Sequence, residues 1–416
     1  MKTPFPYQII GAQHLSSRRR ALLFDDMGLG KTLQAIMACA EVSPSPHVTV
    51  VAPASVVPVW EDAFAREWPR FDNPRVLVLS YERLTRNPEL TEGTQILIAD
   101  EAHYCKTTNA KRSKAVKAVA DKAEYAWGLT GTPVMNHLGE LYNLLRIFAP
   151  PSVAEFRGEL QFWERYTFVR DTDWGPKPTG RRNVDELRKR MYPYVLRRRK
   201  DEVLADLPPI RWGEIGVRAP AMEGVTEDQQ VGMRKAMAAL ELGHQPPVDE
   251  SQVTTRRLIE VAKAKPLADF LRDELTDGDH KIVVFGWFNE ALDIVEEELS
   301  KFGVMRLSGG AAPAHRAKAV KEFQENGKVR VFVGQILAAG TGLTLTAAYN
   351  VVFIGLDWVP TNNAQAAMRV HRIGQEEPVL IRTANLIGSI DDVVQEVLSR
   401  KTRDILALWE QDDDAA

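Results

Sequence analysis

A chain of 416 residues exceeds what one ordinary hydrophobic core organises and suits two or three domains. Its 44% apolar and 26% charged residues fit a globular protein and exclude a disordered one. No run approaches the roughly 18 apolar residues that span a bilayer, and the opening residues lack the pattern of a signal peptide.

Cys39 and Cys105 offer neither paired metal-ligand spacing nor a disulfide framework, so a reducing, intracellular setting is expected. The net charge of −3 does not announce a nucleic-acid binder. Basic residues nevertheless crowd into Arg18-Arg19-Arg20, Arg181-Arg182, Arg188-Lys189-Arg190 and Arg197-Arg198-Arg199-Lys200, with acidic ones in the tail Asp412-Asp413-Asp414. Each basic cluster is open to two readings, a solvated face or a DNA contact.

In chain order, Ala21–Phe24 reads as a strand and Thr32–Glu41 as a helix. Val48–Ala52, Val76–Leu79, Ile96–Ala99 and Tyr125–Leu129 are four more strands. Short β-branched runs separated by helices indicate a parallel sheet covered on both faces. A first lobe over 1–150 follows. From 151 to 265 the sequence turns Arg-, Trp- and Pro-rich and reads as a mostly helical insertion and linker. Alternation then resumes over 266–395, with strands at Lys281–Phe285, Val304–Leu307, Val329–Val333, Val351–Ile354 and Val379–Ile381 and a helix at Asn289–Lys301. Residues 396–416 complete the chain as a helix and acidic tail. The expected fold is α/β: two RecA-like parallel-sheet lobes with a helical insertion between them.

After the first strand comes Asp25-Asp26-Met27-Gly28-Leu29-Gly30-Lys31-Thr32 and then a helix. Glycines let the backbone turn its N–H groups toward a phosphate chain, and the helix N-terminus adds partial positive charge. Met27 to Thr32 then form a nucleotide-binding loop. Lys31 can reach the β- and γ-phosphates of ATP, and the Thr32 hydroxyl can bind Mg²⁺. Asp25 stands where the strict loop pattern has its first glycine. Asp100-Glu101-Ala102-His103 ends the fourth strand; Asp100 can hold Mg²⁺ through water and Glu101 can polarise the attacking water.

These two segments, with Leu129-Thr130-Gly131-Thr132-Pro133, Asn136, Glu140-Leu141 and Pro150, resemble the Swi/Snf-type ATPases of helicase superfamily two. Leu196-Arg197-Arg198-Arg199-Lys200-Asp201-Glu202-Val203-Leu204 resembles the inter-lobe signature of that family. Gln365-Ala366-Ala367-Met368-Arg369-Val370-His371-Arg372-Ile373-Gly374-Gln375 is the most specific match. The Asp-Asp form of the phosphate loop leans toward the HepA-related annealing helicases. The resemblance implies an ATP-dependent motor moving along double-stranded or branched DNA.

By resemblance, Gln8 reads the adenine edge with Tyr7 packing nearby. Thr130 and Thr132 couple the nucleotide site to the DNA track. Arg369 and Arg372, with Gln365 beside them, serve the γ-phosphate, a finger role worth roughly 10³–10⁵ in rate. DNA-backbone contacts are expected at Ser55, Ser80, Arg316, Gly340, Thr341, Gly342 and Thr344, since small and hydroxyl side chains suit close phosphate contact. Trp358 reads equally as a DNA-coupling residue or a packed core tryptophan.

The sequence begins almost at the adenine motif and ends about 40 residues after the arginine motif, which leads us to expect a stripped, monomeric motor without targeting modules. A DNA-repair or replication-fork role would fit. Two rivals remain at this level: a strand-separating DNA or RNA helicase, and an ATP-gated clamp on branched DNA.

Overall fold

The computed structural model describes residues 3–72, 74–133, 137–172, 175–204, 207–218, 227, 231, 234, 250–339, 343–387 and 389–407. The chain divides into two compact units, Met1–Ala205 and Asp206–Ala416.

In the first unit β1 (Arg20–Leu23), β2 (His47–Ala52), β3 (Arg75–Ser80), β4 (Ile96–Asp100), β5 (Tyr125–Leu129) and a later strand join one sheet. Each expected strand forms within one or two residues of its expected bounds. Between β5 and the later strand, β6 (Phe168–Thr172) and β7 (Gly175–Thr179) pair as a separate antiparallel ribbon. The later strand is β8 (Val195–Leu196), and the sheet order is β3-β2-β4-β5-β1-β8, all parallel.

Side chains alternate between the two faces, as a pleated strand requires. Leu22, Leu97, Ala99 and Ala126 enter one core with Leu144, Phe148 and Phe162. Their neighbours Ala21, Leu23, Ile96, Ile98 and Trp127 enter another with Ile36, Trp60 and Phe64. Burial on both faces explains why these strands read as unbroken apolar runs. Trp60 and Trp127 are the largest fully buried side chains, and truncating either to alanine would cost about 3–5 kcal/mol.

The second unit repeats the plan. β9 (Ile210–Val217), β10 (Ile282–Gly286), β11 (Val304–Leu307), β12 (Val331–Gln335), β13 (Asn350–Phe353) and β14 (Val379–Leu386) lie in the order β11-β12-β10-β13-β14-β9, again all parallel. The helix Glu250–Asp277 packs Ala264, Leu267, Leu271 and Leu275 against Ile282, Val284, Val331 and Val352. Its ammonium at Lys263, fully buried, pairs with Asp391 at 2.8 Å and bonds the Ala384 carbonyl at 2.8 Å. That pair ties the closing helix Ile390–Ala407 to the sheet.

Beyond its helices, the 151–265 segment thus supplies one strand to each sheet. β8 is two residues long, and β9 carries Gly213, Glu214 and Gly216 on an eight-residue edge pairing with β14. Neither has the β-branched density that marks a central strand. Among the described residues, no helix is long and apolar enough to cross a membrane.

Candidate nucleotide site

Every candidate residue of the first unit lies at the carboxyl edge of its sheet, where open α/β folds place ligands. Met27 to Thr32 follow β1, Ser55 follows β2, Ser80 and Asp100 end β3 and β4, and Thr130 and Thr132 follow β5. Parallel pairing alone gathers segments more than a hundred residues apart in sequence.

The loop after β1 needs its glycines. Gly28 has φ 93° and Gly30 φ 75°, both in the left-handed region. A Cβ on Gly30 would stand 2.5 Å from Gln8 Nε2. The Gln8 amide in turn donates to the Leu29 carbonyl at 3.2 Å, so the helix Pro6–Ser16 is pinned to the loop after β1. Burial and the nearby Asp25 carboxylate push the Tyr7 hydroxyl up to about 12. Lys31 opens the helix Lys31–Val42 and donates to the carbonyls of Asp25 at 2.7 Å and Asp26 at 3.2 Å. Burial lowers its affinity for a proton, while Glu101, Asp25 and Asp100 pull the other way. Gly131 presses on the same loop, since a Cβ there would lie 2.6 Å from Met27 Cγ and 3.2 Å from Lys31 Nζ.

Asp100 is held on both oxygens. The Trp60 indole N–H donates to Oδ2 at 2.8 Å, and the Glu101 N–H donates to Oδ1 at 2.9 Å. Tyr81 O–H fixes its carbonyl at 2.8 Å. Burial, and then the charge of Glu101, push the Asp100 carboxyl up to about 6. A divalent cation is the partner that relieves two such adjacent carboxylates, so the donor set fits Mg²⁺. Among the described residues no group of three or more His, Cys, Asp or Glu could hold a metal.

Glu101 has φ 50° and ψ 51°, a left-handed backbone that costs a non-glycine residue about 1–2 kcal/mol. Such strain is retained where a side chain must be aimed. Its Oε2 lies 3.2 Å from His103 Nδ1. That ring nitrogen is 3.0 Å from Thr130 Oγ1 and 3.4 Å from Thr132 Oγ1. The expected coupling threonines and the expected water-polarising carboxylate therefore meet on one buried imidazole.

In the second unit Gln365 is buried on the helix Pro360–Ala367, and the backbone beyond carries Arg369 and Arg372. Arg369 is only 5% exposed, which sets it apart from an ordinary surface arginine. Its carbonyl accepts from Leu345 N–H at 2.9 Å. Arg372 donates to the Met368 carbonyl at 3.2 Å and reaches Thr344 Oγ1 at 3.4 Å.

Among the expected DNA contacts, Ser55 is exposed. Ser80 caps the helix Tyr81–Arg86 by accepting from Arg83 N–H at 3.1 Å. Arg316 donates to the Ala338 carbonyl at 2.6 Å. Gly340, Thr341 and Gly342 lie outside the described residues, as do Asn136 and the acidic tail.

A model of the SNF2-related domain matches residues 7–74 and 69–223, and one of the helicase conserved C-terminal domain matches residues 262–374. The chain belongs to the SNF2-related family of helicase-like ATPases. One SNF2-related relative is the SWI/SNF-related matrix-associated actin-dependent regulator of chromatin subfamily A-like protein 1 of Xenopus tropicalis, 33% identical over 96% of this chain and 44% of its own. Another is the DNA annealing helicase and endonuclease ZRANB3 of Mus musculus, 30% identical over 92% of this chain and 38% of its own. A solved structure, the Sulfolobus solfataricus SWI2/SNF2 ATPase core in complex with dsDNA, aligns over 99% of this chain and 94% of its own at TM-score 0.45 and 23% identity. The chain spans less than half the length of these two curated relatives. The lean toward the annealing-helicase branch is borne out.

Several residues of this SNF2-related site escaped the sequence reading. Trp60 and Gln34 bond to motif residues from outside the motifs, and the bonds that Tyr81 and Arg198 make to Asp100 and Asp25 had no sequence signal of their own. The basic clusters also resolve in part. Arg20 donates to the carbonyls of Ala120, Ala123 and Glu124 around the end of the helix Lys111–Lys122. Arg18 donates to Pro193 O at 2.8 Å, and Arg190 pairs with Glu155 at 2.7 Å. These side chains brace the fold. Trp358 is a packed residue, with the Arg256 guanidinium 5.2 Å from its ring centre.

Proposed function

We propose that the chain is a DNA-dependent ATPase whose hydrolysis drives movement along duplex or branched DNA. The observation that carries this reading is the meeting of Lys31, Asp100 and Glu101 at one sheet edge, with Glu101 joined through His103 to Thr130 and Thr132. Lys31 neutralises the β- and γ-phosphates, and the N–H groups of the loop orient them. Asp100 and the Thr32 hydroxyl would hold Mg²⁺, which supplies charge neutralisation between those phosphates. Glu101 orients and polarises the attacking water. Gln8, with Tyr7 packed near it, reads the base.

Arg369 and Arg372 present fixed forks of donors to the γ-phosphate, with Gln365 supporting them. Ser55, Ser80, Arg316, Thr344 and the segment Gly340-Thr341-Gly342 contact the sugar-phosphate backbone, so grip carries no sequence preference. The activity belongs inside a cell, where DNA and ATP meet.

Displacement of a triplex-forming strand from duplex DNA tests the reading. ATP-dependent displacement without unwinding of a forked duplex is expected. Efficient unwinding with no triplex displacement would point to a strand-separating helicase, and ATP turnover with neither to a clamp.

A further inference from the structure

Asp25 and the basic run Arg197–Lys200 are not used by the chemistry above, and the structure brings them together. Asp25 is fully buried. The Arg198 guanidinium grips it with a fork: Nε donates to Oδ1 at 3.0 Å and one terminal nitrogen to Oδ2 at 2.5 Å. That same nitrogen donates to Gln34 Oε1 at 2.8 Å. The other terminal nitrogen donates to the Tyr7 carbonyl, and the guanidinium lies 5.5 Å from the centre of the Tyr7 ring. Gln34, also fully buried, returns its amide to Asp25 Oδ2 and the Leu29 carbonyl, both at 3.1 Å.

The neighbourhood is shaped around this hub. A Cβ on Gly11 would stand 1.7 Å from Gln34 Oε1 and 2.7 Å from the guanidinium, so any larger residue there would push the Gln34 or Arg198 side chain aside. The Arg198 backbone accepts from Asp26 N–H at 3.0 Å, and Lys200 N–H donates to Asp26 Oδ2 at 3.1 Å. Arg197 pairs with Asp26 Oδ1 at 3.5 Å. The segment following β8 thus runs along the base of the phosphate loop. One side chain touches the start of the loop, the helix after it and the adenine motif.

We infer that Arg198 is a positioning residue for nucleotide binding, fixing the phosphate loop and the adenine motif in one arrangement from beneath. Lys31 hangs from the Asp25 carbonyl, so whatever seats Asp25 also seats the ammonium. The inference explains why an aspartate stands at a glycine position: the side chain is an anchor for a fork. Lysine has the charge but not the planar geometry to replace it. The inference rests on the loop being the ATP site.

The full chain is tested as Arg198→Lys, Arg198→Met, Asp25→Asn and the Asp25→Asn/Arg198→Met pair. A fluorescent ATP analogue reports binding, and DNA-stimulated turnover gives KM and kcat. Kd and KM should rise about tenfold or more, while kcat at saturating ATP falls less than about threefold. Arg198→Lys should fail to restore affinity, and the pair should bind within about threefold of the weaker single variant. If Arg198→Met does not fold, Arg198→Lys and Asp25→Asn carry the test. Wild-type affinity in folded Arg198→Lys overturns the inference. Wild-type turnover in Lys31→Ala would overturn the reading of the loop, and this inference with it.

Discussion

In the first unit, the loop beyond β1 is anchored by ion pairs. Asp25 is gripped by Arg198 and Asp26 by Arg197. In the second unit the corresponding edge is held by backbone donors and rings. Glu260, buried in the long helix, accepts from Trp287 N–H at 2.7 Å and Phe288 N–H at 3.1 Å, just beyond β10. Arg256 lies between Trp287 and Trp358, 5.6 and 5.2 Å from their ring centres. Gln335 joins Gly309 N–H to the Trp287 carbonyl.

Under the proposed function, the contrast follows from what the loop after β1 has to receive. A loop that wraps a polyphosphate keeps its N–H groups pointing outward, so its anchors come from below through side chains of opposite charge. Loops that need only hold a surface can be tied through their own backbone amides.

The largest break in the comparison comes from removing the chemistry of the first unit. Lys31→Ala and Glu101→Gln should each lower ATP turnover by at least about 10³-fold without changing thermal unfolding, read by steady-state ATPase and circular dichroism. Wild-type turnover in either variant contradicts the site. The second unit should fail differently. Arg372→Ala should cut kcat by about 10³-fold while the ATP Kd stays within about threefold, since a finger acts on the transition state. Loss of binding alone would remove its finger role.

Gly30→Ala is a smaller perturbation of the first unit. A left-handed φ of 75° and the 2.5 Å approach to Gln8 should cost about 1–2 kcal/mol of stability and weaken ATP binding measurably. Equilibrium unfolding and nucleotide titration check both. The subtlest difference lies in the second unit. Burial pushes Glu260 from 4.5 up to about 7, so the folded state holds more protons than the unfolded one across that window. Stability contributed at this site falls as pH rises from 4.5 to 7. The gain in stability from Glu260→Gln relative to wild type should therefore grow over the same range, and a pH-independent difference would rule the shift out.

Central strands were legible because burial on both faces leaves them as β-branched runs. β8 and β9 were not, one too short and the other interrupted by Gly213 and Glu214. The ribbon β6–β7 carries Pro176 and Pro178, which a strand reading penalises although an isolated ribbon tolerates them. Lys31, Asp100 and Glu101 were legible because a phosphate loop and a strand-end carboxylate are local patterns. The bonds of Arg198 and Trp60 were not, since they span 173 and 40 residues. One signal was present: an aspartate at a glycine position, within a strand-end loop, calls for a buried counter-charge.

The most direct test of the account compares ATPase rates with no nucleic acid, single-stranded DNA, duplex DNA, forked DNA and RNA, with Lys31→Ala as the blank. Duplex and forked DNA should stimulate turnover strongly and RNA little, with stimulation falling steeply as salt rises. Equal rates with and without DNA, or stimulation by RNA alone, would contradict a motor that tracks the DNA duplex.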